Sequence, residues 1–157
     1  MKKSFLIVAM LAMAIAANAQ FKIGANVGVP VGDLSELYDV SLGADLYYLT
    51  GKPDGRLSFG GGAGYMNYVG TETGVGRLDG SSYLTFAGAA RVKILFLTVG
   101  PDLGYGFALS EDRTGGFHWR AVAGVKLLIF EFNLFYHNVA NDVVNQSTLG
   151  FGALLVF

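Results

Sequence analysis

The chain has 157 residues, 52% of them hydrophobic and only 15% charged, where an ordinary soluble domain is about 25% charged. That length suits one compact domain. A formal charge of −1 without a Lys/Arg cluster excludes a nucleic-acid-binding footprint, and the absence of cysteine excludes disulfides, thiolate metal sites, cysteine catalysis and lipid attachment through a thiol.

In chain order, Lys2 and Lys3 precede an apolar run over residues 5–17, and Ala17-Asn18-Ala19 forms an A-x-A cleavage site before Gln20. The run is short of the roughly 20 residues a spanning helix needs. The pattern predicts a cleavable secretory signal peptide at 1–19 and a mature domain at 20–157. Losing Lys2 and Lys3 leaves nine basic residues against twelve acidic ones, a charge of about −3.

From Gln20 onward Gly, Asp, Lys or Asn interrupts every apolar run, and the periodicity that remains is two. Phe21, Ile23, Ala25, Val27 and Val29 alternate with Lys22, Gly24, Asn26 and Gly28, which puts two chemically different sets on opposite faces of a first strand. The second strand sets Tyr38, Val40, Leu42, Ala44, Leu46 and Tyr48 against Asp39, Ser41, Gly43, Asp45 and Tyr47. A third, over about 56–68, sets Leu57, Phe59, Ala63 and Tyr65 against Ser58, Gly60, Gly62 and Gly64. The fourth (about 82–92) carries Leu84, Phe86 and Val92 opposite Tyr83, Thr85 and Arg91, and the fifth (97–107) carries Leu97, Leu103, Tyr105 and Phe107 opposite Thr98, Asp102, Gly104 and Gly106. The sixth (117–127) opposes Phe117, Trp119, Ala123 and Leu127 to His118, Arg120, Gly124 and Lys126. The seventh, from Phe130, opposes Phe132, Leu134 and Tyr136 to Glu131, Asn133 and His137, and the eighth (146–157) opposes Leu149, Phe151 and Phe157 to Gln146, Thr148, Gly150 and Gly152.

Eight such segments, apolar on one face and polar or glycine-rich on the other, predict an all-β fold: an eight-stranded antiparallel up-and-down transmembrane β-barrel. A soluble lipocalin-like barrel would invert the faces, and the non-apolar face here has too few charges to solvate an exterior. Glycine-rich alternation suits a narrow lumen that must admit a few long polar side chains. The links after strands two, four and six are short (50–55, around 93–95 and around 128–129). Those after strands one, three, five and seven are longer and polar (32–37, 69–81, 110–116 and 138–145). In bacterial barrels short turns face the periplasm and long loops the outside. The second and third turns lack the Gly or Asn that tight hairpins favour.

Tyr38, Tyr65, Tyr105, Phe107, Phe117, Trp119 and Tyr136 fall toward the loop ends of their strands, with Phe21, Tyr48, Phe130 and Phe157 toward the turn ends. That is the expected placement of interfacial aromatic girdles. The closing segment holds Gly152, Leu155 and Phe157, a Gly followed by alternating hydrophobic residues and a final aromatic, and it resembles the C-terminal insertion signal of outer-membrane barrels. Over its mature length the chain resembles the small eight-stranded outer-membrane barrels of the OmpA/OmpX type, the outer membrane protein beta-barrel family. The resemblance implies residence in the outer membrane, contact with its lipid, and the barrel-assembly machinery and periplasmic chaperones as partners during biogenesis.

Lys22, Asp45, Arg91, Asp102, Arg120, Lys126, Glu131 and His137 concentrate the polar chemistry of the lumen face. An eight-stranded barrel is just wide enough for side chains to fill it, so these groups are expected to pair with one another: Lys126 and Glu131 sit on adjacent strands near one turn, and Arg120 should lie near Asp102 or His137. The reading is a closed ion-pair network in a structural or surface-interacting protein, with no catalytic, cofactor or metal site. One alternative is a lipid-modifying enzyme of the lipid A deacylase type, whose His-x-Ser-Asn element is similar to His137-Asn138-Val139-Ala140 only at the histidine. Val139 stands where the nucleophile would be, and without a hydroxyl the base has nothing to activate. A small-solute pore is the second alternative. The longest loop, with Gly76-Arg77-Leu78-Asp79-Gly80 at its tip, names no ligand.

Overall fold

The computed structural model of the chain describes residues 19–32, 35–51, 55–73, 76–77, 80–110, 114–140 and 145–157. The signal segment expected at 1–19 therefore lies outside the described residues except for Ala19, and so do parts of the expected loops. Among the described residues there are ten strands: β1 Ala19–Val31, β2 Tyr38–Thr50, β3 Leu57–Gly70, β4 Glu72–Thr73, β5 Gly76–Arg77, β6 Ser81–Ile94, β7 Leu97–Ala108, β8 Gly116–Leu127, β9 Phe130–Ala140 and β10 Gln146–Val156. Eight of them close a barrel in the order β1-β10-β9-β8-β7-β6-β3-β2. Every neighbouring pair is antiparallel, so the eight strands run alternately up and down, as the period-two pattern predicts. The short β4 and β5 pair with each other inside the connection between β3 and β6.

Closure requires a stagger between strands, and the pairing register gives it directly. Starting at Gln20 and stepping around through Leu49, Gly60, Ala89, Asp102, Arg120, His137 and Thr148, the path returns to β1 at Pro30, ten residues above its origin. All nine residues of this spiral belong to the lumen face. Side chains at one height therefore come from distant parts of the sequence and from strands that do not touch. The end of the chain completes the closure: Phe157 N–H donates to the Phe21 carbonyl at 2.8 Å, and Val156 N–H to the Ile129 carbonyl at 2.8 Å.

The outer wall is apolar. Phe59, Phe86, Leu103, Leu134, Leu149 and Phe151 are among the large side chains left exposed there, Leu134 at 62%. The lumen face is packed by a cross-strand rule of small against large. Gly62 lies opposite Tyr47 and Gly64 opposite Asp45, while Gly150 lies opposite Phe135 and Gly152 opposite Asn133. A Cβ placed on Gly62 would sit 2.6 Å from two carbons of the Tyr47 ring, and one on Gly152 would sit 2.8 Å from Asn133 Oδ1. These glycines are the space into which the facing side chains lie.

Two local features depart from simple alternation. The register between β2 and β3 slips between Tyr38 and Val40, a bulge in which one extra residue of β2 is accommodated. It reverses the facing of the strand end: Tyr38, expected in the outward aromatic girdle, turns into the lumen and is 3% exposed. Between β6 and β7 the ladder is broken between the pairs Ala89/Asp102 and Val92/Val99. Pro101 has no N–H to contribute there, and the Arg91 guanidinium donates to the Ala90 and Pro101 carbonyls at 3.0 and 3.1 Å.

The two turns lacking Gly or Asn are nevertheless two-residue hairpins, Leu95-Phe96 between Ile94 and Leu97, and Leu128-Ile129 between Leu127 and Phe130. Tight hairpins need positive φ at the first central residue, and here leucine adopts it, at 58° for Leu95 and 57° for Leu128.

Candidate functional site: the barrel interior

The interior has three layers. Toward the loop end, Tyr38, Met66, Tyr68, Tyr83, Val122, Phe135 and Val139 form one buried cluster. Tyr68 packs on Tyr38 and edge-on against Tyr83, with ring centroids 5.6 and 6.3 Å apart. The phenol oxygens find partners across the lumen: Tyr68 OH lies 3.0 Å from Thr148 Oγ1, and Gln146 Nε2 donates to Tyr83 OH. These contacts join β3 and β6 to β10, which is neighbour to neither.

The middle layer is ionic. Asp45 accepts from Asn26 Nδ2 at 2.7 Å through one oxygen and from Arg120 Nη1 at 2.8 Å through the other. Arg120 lies over the Phe135 ring at 3.8 Å, a cation–π contact, and reaches Tyr47 OH at 3.4 Å. Tyr47 OH donates to Asp102 Oδ2 at 2.8 Å, and the other Asp102 oxygen is held by Arg91 Nη1 at 2.5 Å. The result is one connected path, Asn26–Asp45–Arg120–Tyr47–Asp102–Arg91, crossing the lumen between β1, β2, β6, β7 and β8. The pockets along it offer no more than about 10 Å³ of room, at the lower limit for a single water.

Nearer the turns, Lys22 and Glu131 form a separate ion pair at 2.6 Å, both side chains buried. Three cations are thus matched by three carboxylates within the barrel, as groups removed from water require. Below this pair a cavity of about 410 Å³ opens at the turn end, lined by residues that include Arg56, Lys93, Lys126, Leu95, Phe96 and Leu128.

Of the eight polar residues singled out in the sequence, Lys22, Asp45, Arg91, Asp102, Arg120, Glu131 and His137 are buried in the lumen. Lys126 is exposed at the mouth. The partners differ from those expected. Lys126 and Glu131 are register partners, but Glu131 turns to Lys22, two strands away on the other side of β10, instead. Arg120 lies beside Asp102 and His137 in the ladder, as expected, and forms its ion pair with Asp45 on the far wall. His137 stacks edge-on against His118 with centroids 4.6 Å apart, and neither of its ring nitrogens has a hydrogen-bond partner. Among the described residues no group of three or more His, Cys, Asp or Glu is placed to hold a metal.

Sequence reasoning missed Asn26, Tyr47, Tyr68, Tyr83 and Phe135 as parts of the interior chemistry. The signal was available, because each has the lumen parity of its strand. On the outer wall, Tyr65, Tyr105, Phe107 and Phe117 are exposed, while Trp119 and Tyr136 pack on each other at 5.2 Å. In the closing strand Gly152 faces the lumen, and Leu155 and Phe157 face outward.

Neither a protein-family model nor a curated protein matches the chain. Solved structures do. The backbone structure of the Yersinia pestis outer membrane protein Ail in a phospholipid bilayer nanodisc superposes with a TM-score of 0.63 at 18% identity, covering 88% of this chain and 98% of that one. The crystal structure of Ail, the attachment invasion locus protein of Yersinia pestis, superposes with a TM-score of 0.58 at 16% identity over 88% and 97%. The chain has the closed eight-stranded antiparallel barrel fold of this outer membrane protein.

Proposed function

We propose that the chain is an integral outer-membrane protein whose barrel, residues 20–157, anchors its longer loops at the cell surface as an interaction platform, after export by a signal peptide at 1–19. The observation that carries this reading is the combination of an apolar outer wall with an interior filled by its own ion pairs and tyrosines. A wall of large apolar side chains over a whole barrel far exceeds the few hundred Å² a soluble monomer exposes, and lipid satisfies it. The likeness to a protein named for attachment and invasion supports the surface role. The insertion segment Gly152, Leu155 and Phe157 is the part read by the assembly machinery, with periplasmic chaperones keeping the unfolded chain soluble beforehand.

The packed centre speaks against the small-solute pore, because the cavities along the ionic path among the described residues hold no more than about 10 Å³. The orientation of His137 speaks against the deacylase reading. A base acting on membrane lipid would need to lie on the outer face beside a nucleophile, whereas His137 is buried in the lumen beside His118. Two measurements on the full chain test the proposal. Fractionation of expressing cells is expected to recover the protein in the outer membrane, with heat-modifiable gel mobility. In planar bilayers the purified barrel is expected to give no unitary conductance steps. Recovery from the soluble periplasm would overturn the anchor, and regular steps would establish the pore.

A further inference from the structure

The turn end carries features that the surface role does not use. Charge is distributed unevenly along the barrel axis. The four longer connections contain seven acidic and two basic residues in the sequence. Among the described residues, the cavity at the opposite end is lined by the basic residues Lys22, Arg56, Arg91, Lys93 and Lys126 and by one carboxylate, Glu131. Lys22 and Arg91 are neutralised inside the barrel by Glu131 and Asp102. Arg56, Lys93 and Lys126 have no ion-pair partner among the described residues, so the described lining of the mouth is cationic.

The same mouth is rimmed with apolar side chains. Leu95, Phe96 and Leu128 line the cavity and are 84%, 71% and 91% exposed, and they continue into the apolar outer wall through Ile94, Leu127 and Ile129. Leu95 and Leu128 occupy left-handed backbone positions that glycine or asparagine would fill without the steric penalty a leucine meets. The tips are bulky where bulk is locally unfavourable. A sugar phosphate or an acidic soluble peptide would neutralise the charges and leave these tips in water. A phospholipid answers both halves: a phosphate for the Lys and Arg heads, acyl chains for the leucines and Phe96, with the long basic stems lying along apolar surface.

We propose that the turn-end mouth binds the phosphate headgroup of an anionic phospholipid from the membrane leaflet into which the turn tips dip. The inference rests on the membrane reading above and deepens it by naming a lipid class and a site. Lys93, Lys126 and Arg56 hold the headgroup, and Leu95, Phe96 and Leu128 hold the chains.

The test uses the full mature barrel in nanodiscs of mixed phosphatidylcholine and phosphatidylglycerol, with retained lipid quantified by mass spectrometry after detergent stripping. Each basic group near an anionic lipid is worth a factor of about five. Wild type is therefore expected to retain phosphatidylglycerol over phosphatidylcholine by about fivefold or more. The triple variant Arg56→Gln, Lys93→Gln, Lys126→Gln is expected to lose the preference while keeping heat-modifiable mobility. The double variant Leu95→Gly, Leu128→Gly suits the backbone of both turns and is expected to lower retention of both lipids. Equal retention of the two lipids by wild type, or an unchanged preference in the triple variant, would overturn the proposal. Inorganic phosphate at about 10 mM is expected to leave the preference intact; competing it away would reassign the site to a free anion and overturn the lipid assignment. A barrel that fails to enter even pure phosphatidylcholine discs would instead contradict the membrane reading itself.

Discussion

Lys22 and Glu131 meet inside the lumen from β1 and β9, reaching over β10, which lies between them on the barrel wall. Both are buried, so removing one leaves the other as an uncompensated charge, which costs about 3–5 kcal/mol, while replacing both by apolar side chains of similar volume is close to neutral. Lys22→Met alone and Glu131→Leu alone are therefore each expected to destabilise by about 3–5 kcal/mol. The double substitution is expected to fall within about 1 kcal/mol of wild type, as read by urea unfolding in lipid vesicles. Additive penalties would show that the two groups do not interact. At this scale the sequence was informative about which residues enter the lumen and silent about their partners. The expected neighbours, Lys126 with Glu131 and Arg120 with Asp102 or His137, came from adjacent strands and do lie in register, whereas the ten-residue stagger brings the ion-pair partners Lys22 and Asp45 from elsewhere on the wall. A partner set by the stagger is invisible until the closure register is known.

Strand by strand, the alternation of apolar residues with glycine encodes both faces of the wall and much of the filling of the barrel. Each lumen glycine noted above sits opposite a large side chain. Gly62→Val is expected to push the Tyr47 ring off Asp102 and Arg120, costing about 1–3 kcal/mol by overpacking. Gly88 offers the contrasting case, since a Cβ there would approach nothing closer than 3.9 Å. Gly88→Ala should be neutral or stabilise by up to about 1 kcal/mol through the unfolded chain. Comparable losses at both positions would contradict the small-against-large rule. The strand positions were legible because period two is sustained over ten residues or more. The bulge at Tyr38 was not, since one extra residue leaves the local pattern looking regular while reversing its facing. The two leucine turns were hidden for the opposite reason: hairpin chemistry is read from Gly and Asn, and here tight turns form without them.

For the molecule as a whole, the account rests on an apolar outer wall surrounded by lipid and an interior that closes itself. The closed barrel, its topology and, apart from Tyr38, the outward set were readable from the sequence, because each of the eight barrel strands repeats the same two-faced pattern. The layering of the interior into tyrosines, an ionic centre and a cationic mouth was not. It depends on how eight lumen faces interleave. The most direct test of the central claim is the depth dependence of a charge on the outer wall, measured by reversible unfolding in phospholipid vesicles. Leu134 lies mid-strand on β9 and is 62% exposed, whereas Phe117 lies at the loop end of β8. Leu134→Arg is expected to cost about 2–4 kcal/mol, and Phe117→Arg about 0–1 kcal/mol. Penalties near zero at both positions, with a barrel that stays folded in water without lipid, would contradict the account.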